Sequence, residues 1–385
     1  MEIKRNEFKF KPHDKLRWWG SNLLALVASL ALVVSVLLSL PFRKYRSMTL
    51  RYGIRIILVC VIIAVLFGGY LYFSPHQAPD FGDKAKYIIV HRGDTVYDIA
   101  FKLQKIGAIN SEFNFMLFSK VLGHSPKLKA GRYAIEPNTS LADIFKALTG
   151  GASIPFNVTI PEGLTIKETA ELISKELDFS KDDFLRICED RVLLDSLGIP
   201  ADDLEGYLFP NTYNFFYDES PYAATGKMIN QFHANLPDSF EHKAKRLGLS
   251  PYEAIIMASL IEKEAMLDEE RPIISAVYHK RLKIGMRLQC DPTVIYALGG
   301  LNRPLYSRDL EFNSPYNTYK YYGLPPGPIC SPGKASLEAA IDPAAVDYLY
   351  FVAKGDGSHV FSRSNEEHVN AKNKIKRNKK LGLFN

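Results

Sequence analysis

Positions 54–73 read IRIILVCVIIAVLFGGYLYF, a run of 20 residues with one charge, Arg55, near its start. At about 1.5 Å of rise per residue, a helix of that length matches a hydrocarbon core of roughly 30 Å. The run predicts a transmembrane helix at 54–73. Tyr70, Tyr72 and Phe73 at its far end suit the aromatic belt of a membrane interface, and Arg43, Lys44, Arg46, Arg51 and Arg55 precede it. Lysine- and arginine-rich flanks stay in the cytoplasm, which places everything after Phe73 outside it. No small-residue cleavage site follows directly, so the segment reads as an uncleaved anchor in the cell (inner) membrane rather than a removed signal peptide.

An earlier apolar run at 23–40 is also long enough to span. Its flanks conflict, because Lys4, Arg5, Lys9, Lys11, Lys15 and Arg17 lie on one side and the group from Arg43 on the other. Three readings stay open for residues 1–53: a cytoplasmic region with a true extra span at 23–40, a re-entrant segment, or an over-extended start with the chain beginning at Met48.

The rest of the 385 residues has ordinary globular composition, and the formal charge of +6 comes from basic clusters at the two ends. Lys372, Lys374, Lys376, Arg377, Lys379 and Lys380 read as a solvated helix end. Cys60 lies in the apolar run, and Cys188, Cys290 and Cys330 read as buried small hydrophobes with at most one disulfide among them. No Cys/His group has metal-ligand spacing, and no P-loop or dinucleotide fingerprint occurs. No metal, cofactor or nucleic-acid partner is therefore expected.

Beyond a polar linker at 74–84, the pattern gives two further units, at 85–152 and 153–385. In the first, residues 87–90 read as a strand and 95–103 as a helix, with Val96, Ile99, Ala100 and Leu103 on one face. A second helix follows at 113–122, then a strand at 131–135 and a helix from Ser140 stopped by Gly150 and Gly151. In the second unit a strand at 156–160 leads into helices at 165–177, 181–189, 221–235, 251–266 and 271–282. Short strands such as 348–352 follow in a stretch rich in Pro, Gly and Tyr. The fold class is α+β.

The helix at 251–266 holds two glutamates two residues apart. With Met257 at 0° and about 100° per residue, Leu260 falls near ~300°, Ile261 near ~40°, Glu264 near ~340° and Glu262 near ~140°. Glu264 thus falls within the apolar stripe and Glu262 on the other side, nearer the surface. A carboxyl among apolar neighbours is pushed toward its neutral form, which suits a general acid. A core-edge glutamate paired with a lysine or arginine fits the same geometry.

Several longer motifs accompany this helix: IPEGLT at 160–165, EGYLFPNTY at 205–213, ASLIEKEA at 258–265, RLKIGMRLQCDPTVIYALG at 281–299, YNTYKYYGLPPGPICSPG at 316–333 and YLYFVAKGDGSHVFS at 348–362. Together they resemble the endolytic murein transglycosylases, the YceG-like family, over residues 87 to the C-terminus. The stretch HRGDTVYDIAFKL at 91–103 resembles a LysM-like module, a fold that binds N-acetylglucosamine polymers, and it serves here either in sugar binding or as a structural arm.

The family resemblance implies a lytic transglycosylase in which Glu264, the second glutamate of the EKE motif, is the catalytic acid. It implies cleavage between N-acetylmuramic acid and N-acetylglucosamine with a 1,6-anhydro product. Glu205, Tyr213, Gln289, Asp291, Thr293, Asn317 and Tyr319 become candidates for sugar contact. Peptidoglycan strands, the membrane and penicillin-binding synthases become the expected partners, with termination of nascent strands as the role. This chain has Ala265 where the family usually has Thr, and Cys290 where it often has Thr or Ser. The alternatives are a non-catalytic wall-binding scaffold and a hydrolytic muramidase. Ser331 and Lys334 match S-x-x-K, but Pro332 and Gly333 between them make a turn, not the helix that chemistry needs.

Overall fold

The computed structural model describes residues 48–73, 79, 84–121, 128–151 and 153–380. The run at 23–40 and nearly all of the linker at 74–84 lie outside them. The chain divides into two compact units, Met1–Pro75 and His76–Asn385.

In the first unit, α1 (Met48–Phe73) is one continuous helix of 26 residues. Its described side chains lie between positions 56 and 70, and Ile56, Ile57, Val59, Ile63, Leu66 and Phe67 among them are exposed. Among the described residues no helix is long and apolar enough to cross a membrane.

The second unit opens with a β-α-α-β arrangement. β1 (Lys86–Val90) pairs antiparallel with β2 (Gly131–Ile135), in register from Lys86 opposite Ile135 to Val90 opposite Gly131. Between them run α2 (Val96–Lys105) and α3 (Glu112–Val121), and α4 (Leu141–Gly150) follows. Local chemistry sets these boundaries. Thr95 and Asp98 form a reciprocal capping box at the start of α2. Ser140 caps α4, and Gly151 ends it at φ 69°, a left-handed conformation that glycine adopts without a Cβ clash. Ile88, Val90, Ile99, Leu103, Phe115, Phe118 and Phe145 fill a small core, with Phe115 stacked on Phe145 at 4.5 Å.

The turn between β1 and α2 faces the next domain. Arg92 pairs with Asp178 at 3.2 Å, and His91 Nδ1 is hydrogen-bonded to the Tyr217 hydroxyl. The Ile154 N–H donates to the Arg132 carbonyl at 2.7 Å.

The remaining domain carries two hairpin-like pairs: β3 (Phe156–Ile160) with β4 (Asn211–Phe215), and β5 (Tyr350–Ala353) with β6 (His359–Ser362). Helices make up the rest: α5 (Ile166–Glu176), α6 (Lys181–Cys188), α7 (Arg191–Ser196), α8 (Pro221–Asn235), α9 (Phe240–Arg246), α10 (Pro251–Glu264), α11 (Arg271–Lys283), α12 (Asp291–Ala297), α13 (Lys334–Ile341) and α14 (Asn365–Lys380). The α+β class holds for this domain. The basic C-terminal cluster lies on the largely exposed α14, as a solvated helix end should.

α10 is the centre of the domain. It packs against α9, α11, α12 and α13, and every residue from Ala254 to Ile261 is buried. This corrects the one-sided stripe expected from the sequence. A helix surrounded on all sides has no solvent face, so Glu262 does not reach the surface. Its side chain is 6% exposed and pairs with Arg271 at 3.3 Å. Glu262 also accepts the Gly333 N–H at 2.9 Å. Arg271 in turn donates to Asp268 at 3.0 Å and to Ser336 Oγ at 2.6 Å. The Glu162 carboxylate also crowds Gly333, where a Cβ would meet it at 2.0 Å and make that side chain swing away. Cys188, Cys290 and Cys330 are buried and free, as small hydrophobes in a core are, and Cys60 is free as well.

Glu205 belongs to this framework. It is 4% exposed and accepts the Ile166 N–H with both carboxylate oxygens, at 3.1 and 3.2 Å, closing the first turn of α5. Burial pushes its carboxyl up to about 8, although the Ile166 N–H opposes the shift.

Two predictions follow from these buried acids. Between pH 4.5 and about 8 the folded state keeps the Glu205 proton while the unfolded chain has lost it, so stability falls as pH rises through that window. Urea melts across the window should show this fall in the wild type and a much flatter profile in Glu205→Gln. Glu262→Ala leaves the buried Arg271 with only the exposed Asp268 as a counter-charge and should cost about 3 kcal/mol in the same assay; a variant as stable as wild type would show that the pair does not hold the fold.

Candidate functional site

Glu264 is the last residue of α10, and Ala265 after it is extended, at φ −83° and ψ 127°. The helix expected to reach residue 266 therefore stops two residues early, and its final side chain is half-buried, with its carboxyl against the buried Tyr278. Burial raises the Glu264 carboxyl above the usual carboxylate range. The negative end of the helix dipole acts in the same direction. Two side chains oppose them: the buried Cys290 thiol lies close enough to the carboxyl to favour its charged form, and the Tyr278 hydroxyl donates to Glu264 Oε1 at 2.9 Å.

Tyr278 was not singled out from the sequence, but a signal for it exists. On α11, Ile274, Val277, Tyr278 and Arg281 all lie on the buried face. A buried tyrosine hydroxyl needs a hydrogen-bond partner, and Glu264 supplies one. One turn on, the buried Arg281 donates from Nε to the Leu349 carbonyl at 2.8 Å and from Nη1 to the Leu288 carbonyl at 2.5 Å. It thereby ties the segment before Cys290 to the approach of β5.

The stretch around Cys290 brings Asp291 and Tyr319 together and holds Gln289 beside them in sequence. Asp291 is exposed at the start of α12, and its carboxylate accepts the Tyr319 hydroxyl at 2.5 Å. Gln289 is exposed and left-handed at φ 52°. Its N–H donates to the Thr318 carbonyl at 3.2 Å, and the Cys290 N–H donates to Thr318 Oγ1 at 2.9 Å. Asp291 and Glu264 are close enough for their charges to interact, as are Tyr319 and Glu264. Asp291 and Tyr319 therefore lie within electrostatic reach of the Glu264 carboxyl, and Gln289 is exposed two residues before Asp291.

The other candidates sit in the framework. Thr293 is buried and donates to the Cys290 carbonyl at 2.7 Å. Asn317 is buried and donates to the carbonyls of Leu310 and Phe312 at 2.9 and 2.7 Å. Its Oδ1 accepts the Tyr319 N–H at 2.9 Å, so Asn317 aims the loop that carries Tyr319. Tyr213 is buried in β4 with its hydroxyl donated to the Phe209 carbonyl at 2.5 Å. Ser331 precedes α13 and Lys334 begins it, so the two do not share a helical turn.

The arrangement is a single raised-pKa carboxyl at a helix end, held by two donors and bordered by polar groups open to solvent. A proton donor of this kind works only while protonated, so turnover should fall as pH rises through the Glu264 pKa. Tyr278→Phe removes a donor that favours the charged form. A hydrogen bond to a charged group is worth about 1.5–3 kcal/mol, so the alkaline limb of kcat should move up by about one pH unit. Cys290→Ser supplies a stronger donor and should move the same limb down. The kcat–pH profiles of both variants check this, and limbs that stay fixed would show that neither group governs the acid.

Comparison with known proteins agrees with this geometry. The YceG-like family profile matches residues 88–374. An endolytic murein transglycosylase of Bacillus subtilis (strain 168) is 37% identical over 303 residues, covering 74% of this chain and 84% of the relative. One from Streptococcus pneumoniae serotype 2 (strain D39 / NCTC 7466) is 31% identical, over 79% of this chain and 62% of the relative. A 2.6 Å crystal structure of a YceG-like protein from Listeria monocytogenes superposes with a TM-score of 0.56 at 34% identity, covering 75% of this chain and 99% of that one. With its motif helix ending on Glu264 and a match running from β1 into α14, the chain belongs to the YceG-like family.

Proposed function

We propose that this chain is an endolytic lytic transglycosylase of peptidoglycan, with Glu264 as its acid. The observation that carries the reading is the Glu264 carboxyl itself: raised by burial, held by the Tyr278 hydroxyl beside the Cys290 thiol, and within electrostatic reach of the exposed Asp291. Relatives at 37% and 31% identity bear the name endolytic murein transglycosylase.

In this reaction Glu264 protonates the oxygen bridging C1 of N-acetylmuramic acid and C4 of N-acetylglucosamine. The C1–O bond breaks with oxocarbenium character at C1, and the C6 hydroxyl of the same sugar closes onto C1. In the simplest one-carboxyl form, the C6 hydroxyl proton returns to Glu264. No water is consumed, which separates the reaction from two-carboxylate hydrolysis. Gln289, Asp291 and Tyr319 contact the sugars. Glu205, Tyr213, Thr293 and Asn317 act on them only through the framework they hold.

The first unit serves as the anchor. The 20 residues at 54–73 span about 30 Å as a helix, and the exposed apolar side chains of α1 need a non-aqueous surrounding. The basic flank before it puts the catalytic domain outside the cytoplasm. The β-α-α-β module is LysM-like, and the contacts of His91 and Arg92 with the next domain favour its use as a positioning arm. Tethering at the membrane places the site where new glycan strands emerge, beside penicillin-binding synthases, in the role of strand termination.

Mass spectrometry of sacculi digested by the full-length protein tests the reading. Wild type should release 1,6-anhydro ends from within strands, and Glu264→Gln, which keeps the shape and removes the proton, should release none. Reducing ends in place of anhydro ends would establish a muramidase, and undiminished cleavage by Glu264→Gln would remove Glu264 from the chemistry.

A further inference from the structure

A second titratable group lies beside Glu264 that the one-carboxyl reaction does not use. His359 begins β6, and its side chain is 7% exposed. Glu270, in the short 3-10 turn between α10 and α11, is 9% exposed and holds it at two points. The His359 N–H donates to Glu270 Oε1 at 2.9 Å, and Nδ1 meets Glu270 Oε2 at 2.6 Å. With a carboxylate on that edge, Nδ1 carries the proton and Nε2 is left as the free ring nitrogen. Nε2 has no hydrogen-bond partner among the described residues, and it is not among the buried polar atoms left unsatisfied there, so it is open to solvent.

Three contacts place this ring next to the acid. Phe351 packs edge-on against both Tyr278, at 5.9 Å, and His359, at 5.4 Å. Gly357, in the turn before His359, faces the Met266 side chain, two residues beyond Glu264. The imidazole is also close enough for its charge to act on the Glu264 carboxyl. A carboxylate-oriented imidazole with a free second nitrogen is the arrangement that takes a proton from a hydroxyl nucleophile.

Resting on the transglycosylase reading above, we propose that His359, oriented by Glu270, is the general base that accepts the C6 hydroxyl proton. The two proton transfers are then divided. Glu264 gives its proton to the bridging oxygen as the C1–O bond breaks, and the leaving N-acetylglucosamine departs with a free 4-hydroxyl. The C6 oxygen bonds to C1 and its proton passes to His359 Nε2, leaving an imidazolium beside the Glu270 carboxylate. Transfer of that proton to the Glu264 carboxylate, directly or through water, restores both groups. Nothing is oxidised or reduced, and no co-reactant is consumed.

The test uses the full chain acting on purified sacculi, with anhydro ends as the readout. His359→Asn keeps an amide donor near the Nδ1 position to meet Glu270 and removes Nε2. It should fold with the melting temperature of wild type and lose about 10²–10⁴-fold in kcat, the range of a general base. His359→Gly should lose as much and regain at least tenfold in added imidazole, a response that a packing role does not produce. Glu270→Gln should show an intermediate loss. A folded His359→Asn within threefold of wild type would overturn the proposal, as would a His359→Gly loss that imidazole leaves untouched. If Glu264→Gln is inactive while His359→Asn is active, only this inference fails; if Glu264→Gln is active, the transglycosylase reading fails first.

Discussion

A helix buried on every side must dispose of the polar residues at its end, and the catalytic domain is organised around how α10 does this. Its last turn carries Glu262 and Glu264, neither of which can be left charged and unpartnered in the interior without a large desolvation cost. Glu262 is resolved as a structural ion, paired with Arg271 and the Gly333 N–H. That pair fixes the start of α11 and the entry into α13 against the same helix end. Glu264 is resolved differently. It receives two neutral donors and no cation within ion-pair distance among the described residues. Burial then keeps it nearer the protonated form, and this difference in partners separates a structural carboxylate from an acid two residues away.

The sequence shows the elements whose ends are chemically marked. Thr95, Ser140, Thr165, Ser180 and Ser250 all cap helices in the structure, and Pro221 opens α8 within a residue of where periodicity places it. The elements that escape such a reading are short. α9, α12 and α13 have seven or eight residues each, about two turns, and no side chain caps their starts. Glu264 was legible because the long motif around it is specific. The place of Glu262 was not, because a helical wheel assumes that one side of the helix faces water.

The same limit explains the candidate site residues. Gln289 and Asp291 are exposed, and Asp291 and Tyr319 lie within electrostatic reach of Glu264. Glu205, Tyr213, Thr293 and Asn317 come from the same motifs, yet their polar atoms are spent on backbone groups. A motif records every residue that the site needs, including those that hold a loop in place, and chemistry alone does not separate the two kinds. Tyr278 and His359 show the converse. Neither is marked out by its neighbours in sequence, and only the packing of the chain around the end of α10 brings Glu264 to Tyr278 and Glu270 to His359.

The cost of building the site appears in the backbone beside it. Gln289 is one of three non-glycine residues with positive φ among those described, and holding such a residue left-handed costs about 1–2 kcal/mol. Three contacts offset that strain: the Gln289 N–H on the Thr318 carbonyl, the Cys290 N–H on Thr318 Oγ1, and the Arg281 guanidinium on the Leu288 carbonyl. Residues 288–291 alternate between faces, with Leu288 and Cys290 buried and Gln289 and Asp291 exposed. The left-handed Gln289 lies directly before Cys290, the residue that precedes α12, so the strain sits where the chain passes from the loop into the helix that carries Asp291.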